Sequence, residues 1–401
     1  MDDTGAGGRG LTLDAELPFS TPRSILIVML SAVGDAVMVL PVATALRRAF
    51  PHVYLSWVLQ DGPRSLVAGH PSVDEIIPFR RPRGGFRPST ARTMVGEMRD
   101  TVRLIRDSAS RVPGGRYDLL LGLQVYLKAG LLTALAPARV KLGFDRKRTR
   151  DLNWLFTTHR IPPHPEGFRH VQDQYFEFLQ YLEVDPKPLN YGLTLTEAER
   201  KRQEAFFREL REPSCALVVA SSDPRKDWTS EGYAYVATRL YQDHGIRSLL
   251  VGGRSDAEER MAAAILRRTK GEVLDERGGG LRRLLWLLEG SRVVISPDTG
   301  PLHMARAVGT PVVGLFGFTN PKRSGPYGRF NDLVVDGYAR FPGEDYPLGM
   351  ERRPGGMGRV SPETVVVRAE EALRPAPDSP PGEPGSGLRP GEPPGTAPPR
   401  R

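Results

Sequence analysis

The stretch 293–317 carries side chains suited to hold an anionic ligand. An apolar run ends at Ser-Pro-Asp-Thr-Gly-Pro, a short amphipathic segment follows, and a second apolar run begins after Gly-Thr-Pro, an order that predicts a βαβ unit. Thr299 is suited to cap the helix, Pro301 suits an early helical position, and Gly300 lets a ligand approach the backbone. Free N–H groups at such a turn attract a pyrophosphate, and Asp298 lies at the carboxyl end of a strand, where α/β sheets place ligand contacts. An ordinary capped crossover without a ligand is the alternative.

The turn 31–35, Ser-Ala-Val-Gly-Asp, follows the first apolar run and contains a candidate general base. Gly34 admits the close approach of a substrate, and Asp35 stands where it could take a proton from a hydroxyl group. The alternative is that Asp35 only stabilises the N-terminus of the following helix through its negative charge.

The loop 221–228, Ser-Ser-Asp-Pro-Arg-Lys-Asp-Trp, contains two cations directly after another predicted strand. Arg225 and Lys226 could neutralise phosphate charge that builds on a leaving group. A basic surface loop without a ligand is the alternative. His303 lies one helical step beyond the turn at 298–301, and the segments 318–321 and 325–328 follow it. These segments form a third group, and all three groups are expected to line one cleft.

Strands alternate with helices along the chain, which predicts parallel, doubly wound sheets. Strands are predicted at 25–30, 55–59, 73–79, 117–123, 216–220, 248–251, 272–274, 293–295 and 312–316, and helices at 36–50, 93–110, 128–135, 197–210, 231–241, 258–268, 281–288 and 362–373. A linker-like composition near 185–188 divides this alternation into two α/β domains that face each other across a cleft. The expected segments are a disordered lead (1–22), an N-terminal domain (23–185), a C-terminal domain (186–375) and a disordered Pro- and Gly-rich tail (376–401).

The composition excludes several classes of protein. The 401 residues, of which 39% are hydrophobic, are enough for two α/β cores. Cys215 is the single cysteine, which excludes an internal disulfide framework and a zinc cluster. The apolar runs are far shorter than a membrane span, and the N-terminus is acidic and Gly-rich rather than a signal peptide, so we expect a cytoplasmic protein.

The formal net charge of +9 is unevenly distributed, with ten arginines between residues 80 and 116. Only Glu97, Asp100 and Asp107 oppose them in this segment. The segment is expected to meet an anionic partner, whether lipid phosphate, a phosphorylated sugar or nucleic acid. A solvated face in an arginine-rich protein is the alternative.

Several short motifs occur in one order across about residues 24–375. They are 30–35 with Leu40-Pro41, 70–75, Lys226 with Trp228, 296–303, 309–311 and 315–328. Together these motifs resemble glycosyltransferase family 9, the ADP-heptose:lipopolysaccharide heptosyltransferases. The resemblance implies a GT-B fold, in which one Rossmann-like domain holds the acceptor and the C-terminal one mainly holds the nucleotide sugar.

The resemblance also implies an inverting transfer that needs neither a metal nor a cofactor besides the donor substrate, an ADP-sugar. No Asp-x-Asp element is placed to hold a metal. By this likeness Asp35 is the general base, and Lys226 stabilises the departing ADP phosphates. The residues expected to bind the donor are Ser222, Asp298, Thr299, Gly300 and His303, and those expected to bind the acceptor are Ser31, Gly34, Arg80 and Arg81.

An acceptor of this family is a lipid-linked glycan, which implies work at the inner face of the cytoplasmic membrane. The arginine-rich segment could then approach an anionic leaflet in a peripheral association, or it could grip phosphates on the glycan. Gln60, Asn320 and the glycine-rich segment 276–280 depart from the family pattern, which leaves another nucleotide sugar or another acceptor open.

Two alternatives come from other classes of protein. One is a non-catalytic GT-B-like protein that binds a nucleotide sugar without turnover, and Asp35 argues against it. The other is a nucleic-acid-binding protein, but the sequence has neither an aromatic-rich RNA-binding strand nor a helix-turn-helix pattern. We therefore expect no nucleic-acid partner.

Overall fold

A parallel β-sheet organises each of two units of the chain. The computed structural model describes residues 17–19, 21–80, 88–165 and 167–374. The first unit runs through Ser31 and takes in residues 42–168 and 173–186, and the second takes in 32–41, 169–172 and the chain from Lys187 onward. The short segments 32–41 and 169–172 therefore group with the second sheet, although the expected domain boundaries place them with the first.

The first unit contains a sheet of six strands within the described residues. These are β1 (Ser24–Val28), β2 (Tyr54–Gln60), β3 (Glu75–Phe79), β4 (Tyr117–Gly122), β5 (Ala138–Phe144) and β6 (His159–Ile161). The helices along this part of the chain are α1 (Val33–Ala49), α2 (Asp61–Val67), α3 (Pro88–Ala109), α4 (Leu127–Leu135) and α5 (Val171–Tyr181). The strand order is β3-β2-β1-β4-β5-β6, and each neighbouring pair is parallel.

The second unit repeats this arrangement, again with six strands in the part of the chain that the structure describes. The strands are β7 (Ser214–Val218), β8 (Arg247–Val251), β9 (Val273–Asp275), β10 (Val293–Pro297), β11 (Val312–Phe316) and β12 (Val335–Asp336). The helices are α6 (Glu197–Leu210), α7 (Ser230–His244), α8 (Asp256–Leu266), α9 (Gly280–Gly290), α10 (Gly300–Val308), α11 (Pro321–Ser324) and α12 (Pro362–Leu373). The order is β12-β11-β10-β7-β8-β9, with parallel pairs throughout.

Burial explains why the central strands form where they do. Every residue of β1, β4, β7, β10 and β11 is buried. Strands of a parallel sheet that is covered on both faces need nearly continuous apolar sequence, and these runs supply it. Some of their side chains lie at the centre of a hydrophobic core in each unit.

Both sheets have the strand order of a Rossmann fold. The second and third strands are added on one side of the first strand, and the fourth to sixth strands are added on its other side, so the order of the strands reverses between the first and the fourth. The reversal falls between β1 and β4 in the first unit and between β7 and β10 in the second. The carboxyl ends of these strand pairs are the places where such sheets bind ligands. The expected parallel, doubly wound sheets are thus confirmed.

The sequence pattern missed three elements near the end of the first unit. Strand β5 mixes Arg139 and Lys141 with its apolar residues, and β6 has only three residues. Helix α5 is rich in Tyr and Phe, which are weaker helix formers. Tertiary packing decides these elements. None of the helices within the described ranges is long and apolar enough to cross a membrane.

Candidate active site

The reversal point of the second sheet brings Lys226 and Asp298 together. Lys226 lies in the loop after β7, and Asp298 directly follows β10, the strand that pairs with β7. The Nζ atom of Lys226 lies 2.9 Å from Oδ2 of Asp298 and 3.0 Å from its backbone oxygen. These two residues, which are far apart in the sequence, therefore share one site.

Asp298 is a buried carboxylate that keeps its charge. Its side chain is 9% exposed, whereas that of Lys226 is 24% exposed. Burial opposes ionisation of Asp298, but the charge of Lys226 and hydrogen bonds from Lys226 and Thr319 outweigh it and hold the pKa below its ordinary value. The pair therefore presents a fixed ammonium group beside the N-terminus of α10.

Two hydroxyl groups that had no predicted role also contact Asp298. Oγ1 of Thr319 donates to Oδ2 of Asp298 at 2.6 Å, and Oγ of Ser324 lies 3.4 Å from the same atom. Thr319 follows β11, the next strand of the sheet, so its position at the same edge was the available signal. These hydroxyls orient the carboxylate toward Lys226.

His303, on the first turns of α10, is a neutral side chain in this site. It is 6% exposed. Burial is the main effect and lowers the pKa of His303 to about 4, even though the Asp298 carboxylate acts in the opposite direction. At neutral pH, Lys226 is therefore the cation that balances Asp298.

The N-terminus of α10 packs closely against the first turn of α1, within the second unit. A Cβ atom added to Gly34 would lie 2.8 Å from Cδ2 of His303, and one added to Gly300 would lie 2.9 Å from two side-chain atoms of Val33. Both distances are shorter than real Cβ contacts, so a side chain at either position would force its neighbour to shift. Close packing of protein against protein is therefore a use of these glycines that the sequence reading had not assigned.

Asp35 lies next to this contact, in the first turn of α1. Its Oδ2 accepts a hydrogen bond of 3.0 Å from the backbone N–H of Ala32, which fixes the turn. The geometry therefore includes the helix-stabilising role considered from the sequence. The same residue belongs to the unit that contains Lys226 and Asp298.

Thr299 occupies the N-cap position of α10, but its side chain makes no capping hydrogen bond. The expectation that the Thr299 side chain caps this helix is therefore wrong. The helix does contain Pro301 in its first turn, as expected, and ends at Gly309 with φ of 82°. Thr299 instead accepts through its backbone oxygen, from the N–H of Leu302 at 3.1 Å.

The loop after β7 separates the roles of its two cations. Arg225 is held by Asp223 through bonds of 2.8 and 2.7 Å, and it lies over the ring of Phe318. The hydrogen bond from Arg225 lowers the pKa of Asp223 to about 2. Lys226 instead points to Asp298, and Ser222 is exposed on the same loop.

The turn after β1 is held by Gln124, a residue that sequence reasoning missed. Its Oε1 accepts from the N–H of Leu30 at 2.9 Å, and its Nε2 donates to the backbone oxygen of Ser31 at 2.8 Å. Gln124 follows β4, so the reversal point of the first sheet is bridged by one side chain. Arg80 is exposed directly after β3, and Arg81 lies outside the described residues.

His170 is a further unassigned residue of the second unit. Its Nδ1 accepts from the N–H of Gln172 at 3.0 Å, its Nε2 lies 3.0 Å from the carbonyl of Gly325, and its ring packs on Tyr327. This pairing requires the neutral tautomer with hydrogen on Nε2. Within residues 21–80, 88–165 and 167–374, no group of three or more His, Cys, Asp or Glu could hold a metal ion.

Comparison with known proteins gives one family. The family model described as Glycosyltransferase family 9 (heptosyltransferase) matches residues 105–340. Over 318 residues the chain is 28% identical to lipopolysaccharide core heptosyltransferase OpsX of Haemophilus influenzae, a match that covers 78% of this chain and 84% of that protein.

Solved structures show the same fold. A family 9 glycosyltransferase from Veillonella parvula superposes with a TM-score of 0.72 at 21% identity, covering 91% of this chain and 99% of that one. Escherichia coli heptosyltransferase WaaC with ADP gives a TM-score of 0.66 at 22% identity, covering 87% and 99%. The expected GT-B fold is confirmed by these likenesses and by the two Rossmann-type sheets.

Proposed function

Because the chain belongs to glycosyltransferase family 9 (heptosyltransferase), we propose that it moves a heptose from an ADP-sugar to a hydroxyl group of a lipopolysaccharide-core acceptor. The enzyme class follows from the family. The donor and acceptor are supported by the names of relatives, since OpsX is a lipopolysaccharide core heptosyltransferase and WaaC is a heptosyltransferase solved with ADP.

The observation that carries the proposal is the Lys226–Asp298 pair at the reversal point of the second sheet. The ammonium group of a lysine has three donors, and Asp298 accepts from it at two atoms. A third donor can therefore serve a phosphate oxygen, beside the N-terminus of α10, where backbone N–H groups favour an anion. This combination suits the diphosphate of a nucleotide sugar.

Lys226 acts on the leaving group. When the bond between the anomeric carbon and the diphosphate oxygen breaks, negative charge builds on that oxygen. An ammonium already held in place by a buried carboxylate stabilises this charge without reorganising. The donor therefore needs no metal ion, and neutral His303 adds no competing charge to the site. Ser222, Thr299 and Gly300 complete the donor contacts in this proposal.

Asp35 acts on the acceptor. Its carboxylate takes the proton from the acceptor hydroxyl as the new C–O bond forms, and ADP leaves with the electron pair of the broken bond. One base and one leaving-group cation are sufficient for a single displacement, which inverts the anomeric centre. Ser31, Gly34, Arg80 and Arg81 are assigned to the acceptor, whose lipid anchor implies work at the surface of an anionic membrane.

A combined binding and transfer assay tests this proposal. Purified protein is screened by thermal shift against ADP-, UDP- and GDP-sugars, because a ligand that binds only the folded state raises the melting temperature. We expect the ADP-sugar to stabilise the protein and to support transfer to a core acceptor in the presence of EDTA, with inverted anomeric configuration by NMR. A response to UDP- or GDP-sugars alone would replace the donor, and donor binding without transfer or hydrolysis would indicate a binding protein.

A further inference from the structure

Helix α4 has an apolar face that the described residues do not cover. Its sequence, Leu-Lys-Ala-Gly-Leu-Leu-Thr-Ala-Leu, is hydrophobic almost all round, a composition typical of a fully buried helix. Leu127, Leu131 and Leu135, which follow one another at intervals of four residues, are nevertheless 42%, 36% and 46% exposed. Leucines with this spacing lie on one side of a helix.

A short 3₁₀ turn that packs against α4 carries two further exposed leucines. The turn, Asn153–Phe156, packs directly on α4, since a Cβ added to Gly130 would lie 2.7 Å from the ring of Phe156. It contributes Leu152, 61% exposed, and Leu155, 52% exposed. We call Leu127, Leu131, Leu135, Leu152 and Leu155 the apolar face.

The backbone before this 3₁₀ turn has an unusual conformation. Leu152 has φ of 60° and the preceding Asp151 has φ of 52°, so two successive non-glycine residues adopt the left-handed region. This conformation is unfavourable for a bulky side chain, and strain of this kind gathers at functional sites. Here it presents the most exposed leucine of the apolar face.

Arginines and aromatic rings surround the apolar face. Arg146 and Arg160 both lie over the ring of Trp154, at 5.4 and 5.2 Å, and Arg150 lies over Tyr126 at 5.8 Å. On the other side, α3 and α4 form a groove. Leu135 lines this groove together with three exposed arginines of α3, namely Arg99, Arg103 and Arg106. These six arginines are the arginine rim.

This combination identifies the occupant as an anionic bilayer surface. Leucines enter the boundary between headgroups and acyl chains, Tyr and Trp favour that depth, and arginines attract the anionic headgroups. A protein partner could cover the leucines, but it would not by itself account for basic side chains on both sides. The rim also uses part of the arginine-rich segment that the family motifs leave unexplained.

The position of the apolar face agrees with the acceptor that we propose. Tyr126 and Leu127 follow β4, at the carboxyl edge of the first sheet, and Gln124 in the same connection holds Ser31. A glycan rising from a lipid in that bilayer would meet this edge directly. We propose that the apolar face and the arginine rim seat the enzyme on an anionic leaflet, an inference that rests on the proposed lipid-linked acceptor.

Vesicle sedimentation with matched variants tests this surface. The face variant is Leu131→Glu with Leu135→Glu, and its control is Leu266→Glu, an exposed leucine of α8 in the second unit. The rim variant is Arg99→Gln, Arg103→Gln and Arg106→Gln, and its control changes the exposed Arg202, Arg208 and Arg260 to Gln, which removes the same charge. The probe is vesicles of phosphatidylethanolamine and phosphatidylglycerol, compared with phosphatidylcholine vesicles.

We expect the face variant to bind the anionic vesicles at least about tenfold more weakly, because two leucines no longer insert. The rim variant should lose the salt-sensitive part of binding, and both controls should match the parent. Both test variants should keep transfer to a delipidated, soluble acceptor while losing transfer to the same glycan embedded in vesicles.

Unchanged vesicle binding in both test variants would overturn the surface. A change from dimer to monomer in the face variant, without loss of vesicle binding, would also overturn it. The leucines would then form an interface with a second copy of the chain. Failure of the proposed function gives a different result. The parent protein would then transfer heptose to neither the soluble nor the embedded acceptor, while the variants would still lose vesicle binding.

Discussion

Lys226 and Asp298 hold each other at the carboxyl edge of the second sheet. Removing either partner leaves a charge with less compensation, so each residue affects the other as well as a ligand. Asp35 differs, because its carboxylate accepts a hydrogen bond from the backbone of its own turn. Substitutions at these residues therefore have different expected signatures.

We expect Asp35→Asn to leave donor affinity nearly unchanged while kcat falls by about 100- to 10,000-fold, the range for loss of a general base. The amide oxygen of Asn can still accept from Ala32, so the turn is kept. Asp61→Asn is the matched control, because Asp61 also lies in the first turn of a helix. Transfer within about threefold of the parent would show that Asp35 acts through the helix terminus alone.

We expect Lys226→Ala to lower kcat by about 100-fold or more and the donor affinity much less, since its interaction strengthens as the leaving group gains charge. Single-turnover kinetics measures the effect on the chemical step, and isothermal titration calorimetry with the donor measures the effect on affinity. Arg225→Ala is the control from the same loop, because Asp223 already holds that guanidinium. A tenfold loss of affinity with unchanged kcat would make Lys226 a ground-state phosphate contact only.

At the scale of elements, the first turns of α1 and α10 meet through two glycines. Gly34 and Gly300 allow a backbone approach that places Asp35 near the turn that follows β10. Because the interior of a protein is close-packed, such a contact transmits even a small change in volume. The position of the candidate base therefore depends on the absence of side chains beside it.

We expect Gly34→Ala to destabilise the protein by roughly 1 to 3 kcal/mol, the usual effect of overpacking, and to lower kcat more than donor affinity. Its added methyl group would press on the buried His303 ring at 2.8 Å. Gly62→Ala is the control, because its Cβ would meet nothing within 4 Å. Chemical denaturation and steady-state kinetics measure both effects, and equal behaviour of the two variants would contradict the close contact.

At the scale of the whole molecule, the buried neutral His303 links stability to pH. An unfolded histidine has a pKa near 6.5, whereas burial lowers the pKa of His303 to about 4 in the folded protein. Between these values the unfolded chain binds a proton that the folded protein does not. The free energy of unfolding therefore falls as pH falls from 6.5 to 4.

The free energy of unfolding is therefore expected to fall by roughly 2 to 3 kcal/mol between pH 6.5 and pH 4, since each pKa unit corresponds to about 1.4 kcal/mol. Asp298 also stabilises the folded protein, because its pKa is lowered there. This stabilisation is lost only at more acidic pH, below the ordinary pKa of an aspartate. Urea titrations at several pH values measure the slope. His303→Asn should flatten it, His52→Asn at an exposed position should not, and an unchanged slope in the first variant would contradict a buried neutral His303.

The positions of many helices and strands could be predicted from the sequence, because their patterns depend on residues that are close together in the chain. Apolar runs such as 293–295 need burial, and capping residues mark helix starts, so α6 and α12 agree with the predicted ranges. Alternating strands and helices also determined the parallel sheets, because such an order allows few other arrangements. Motif order was enough to indicate the family. The chemistry of the residues pointed to Asp298 and to the pair Arg225 and Lys226, and the resemblance to the family then favoured Lys226.

Which groups meet depends on contacts between segments that are distant in the sequence. Asp298 contacts Lys226 and Thr319 because β7, β10 and β11 are neighbours in the sheet, and strand order is not written in local sequence. Capping by the Thr299 side chain was expected from residue type, but that side chain makes no capping hydrogen bond in the folded protein. The exposed side of α4 could not be predicted from the sequence either. Leucines are usually buried, and whether those of α4 are buried depends on which segments pack against the helix. Periodicity and composition report what each residue prefers, whereas contacts between distant segments settle which preferences are met.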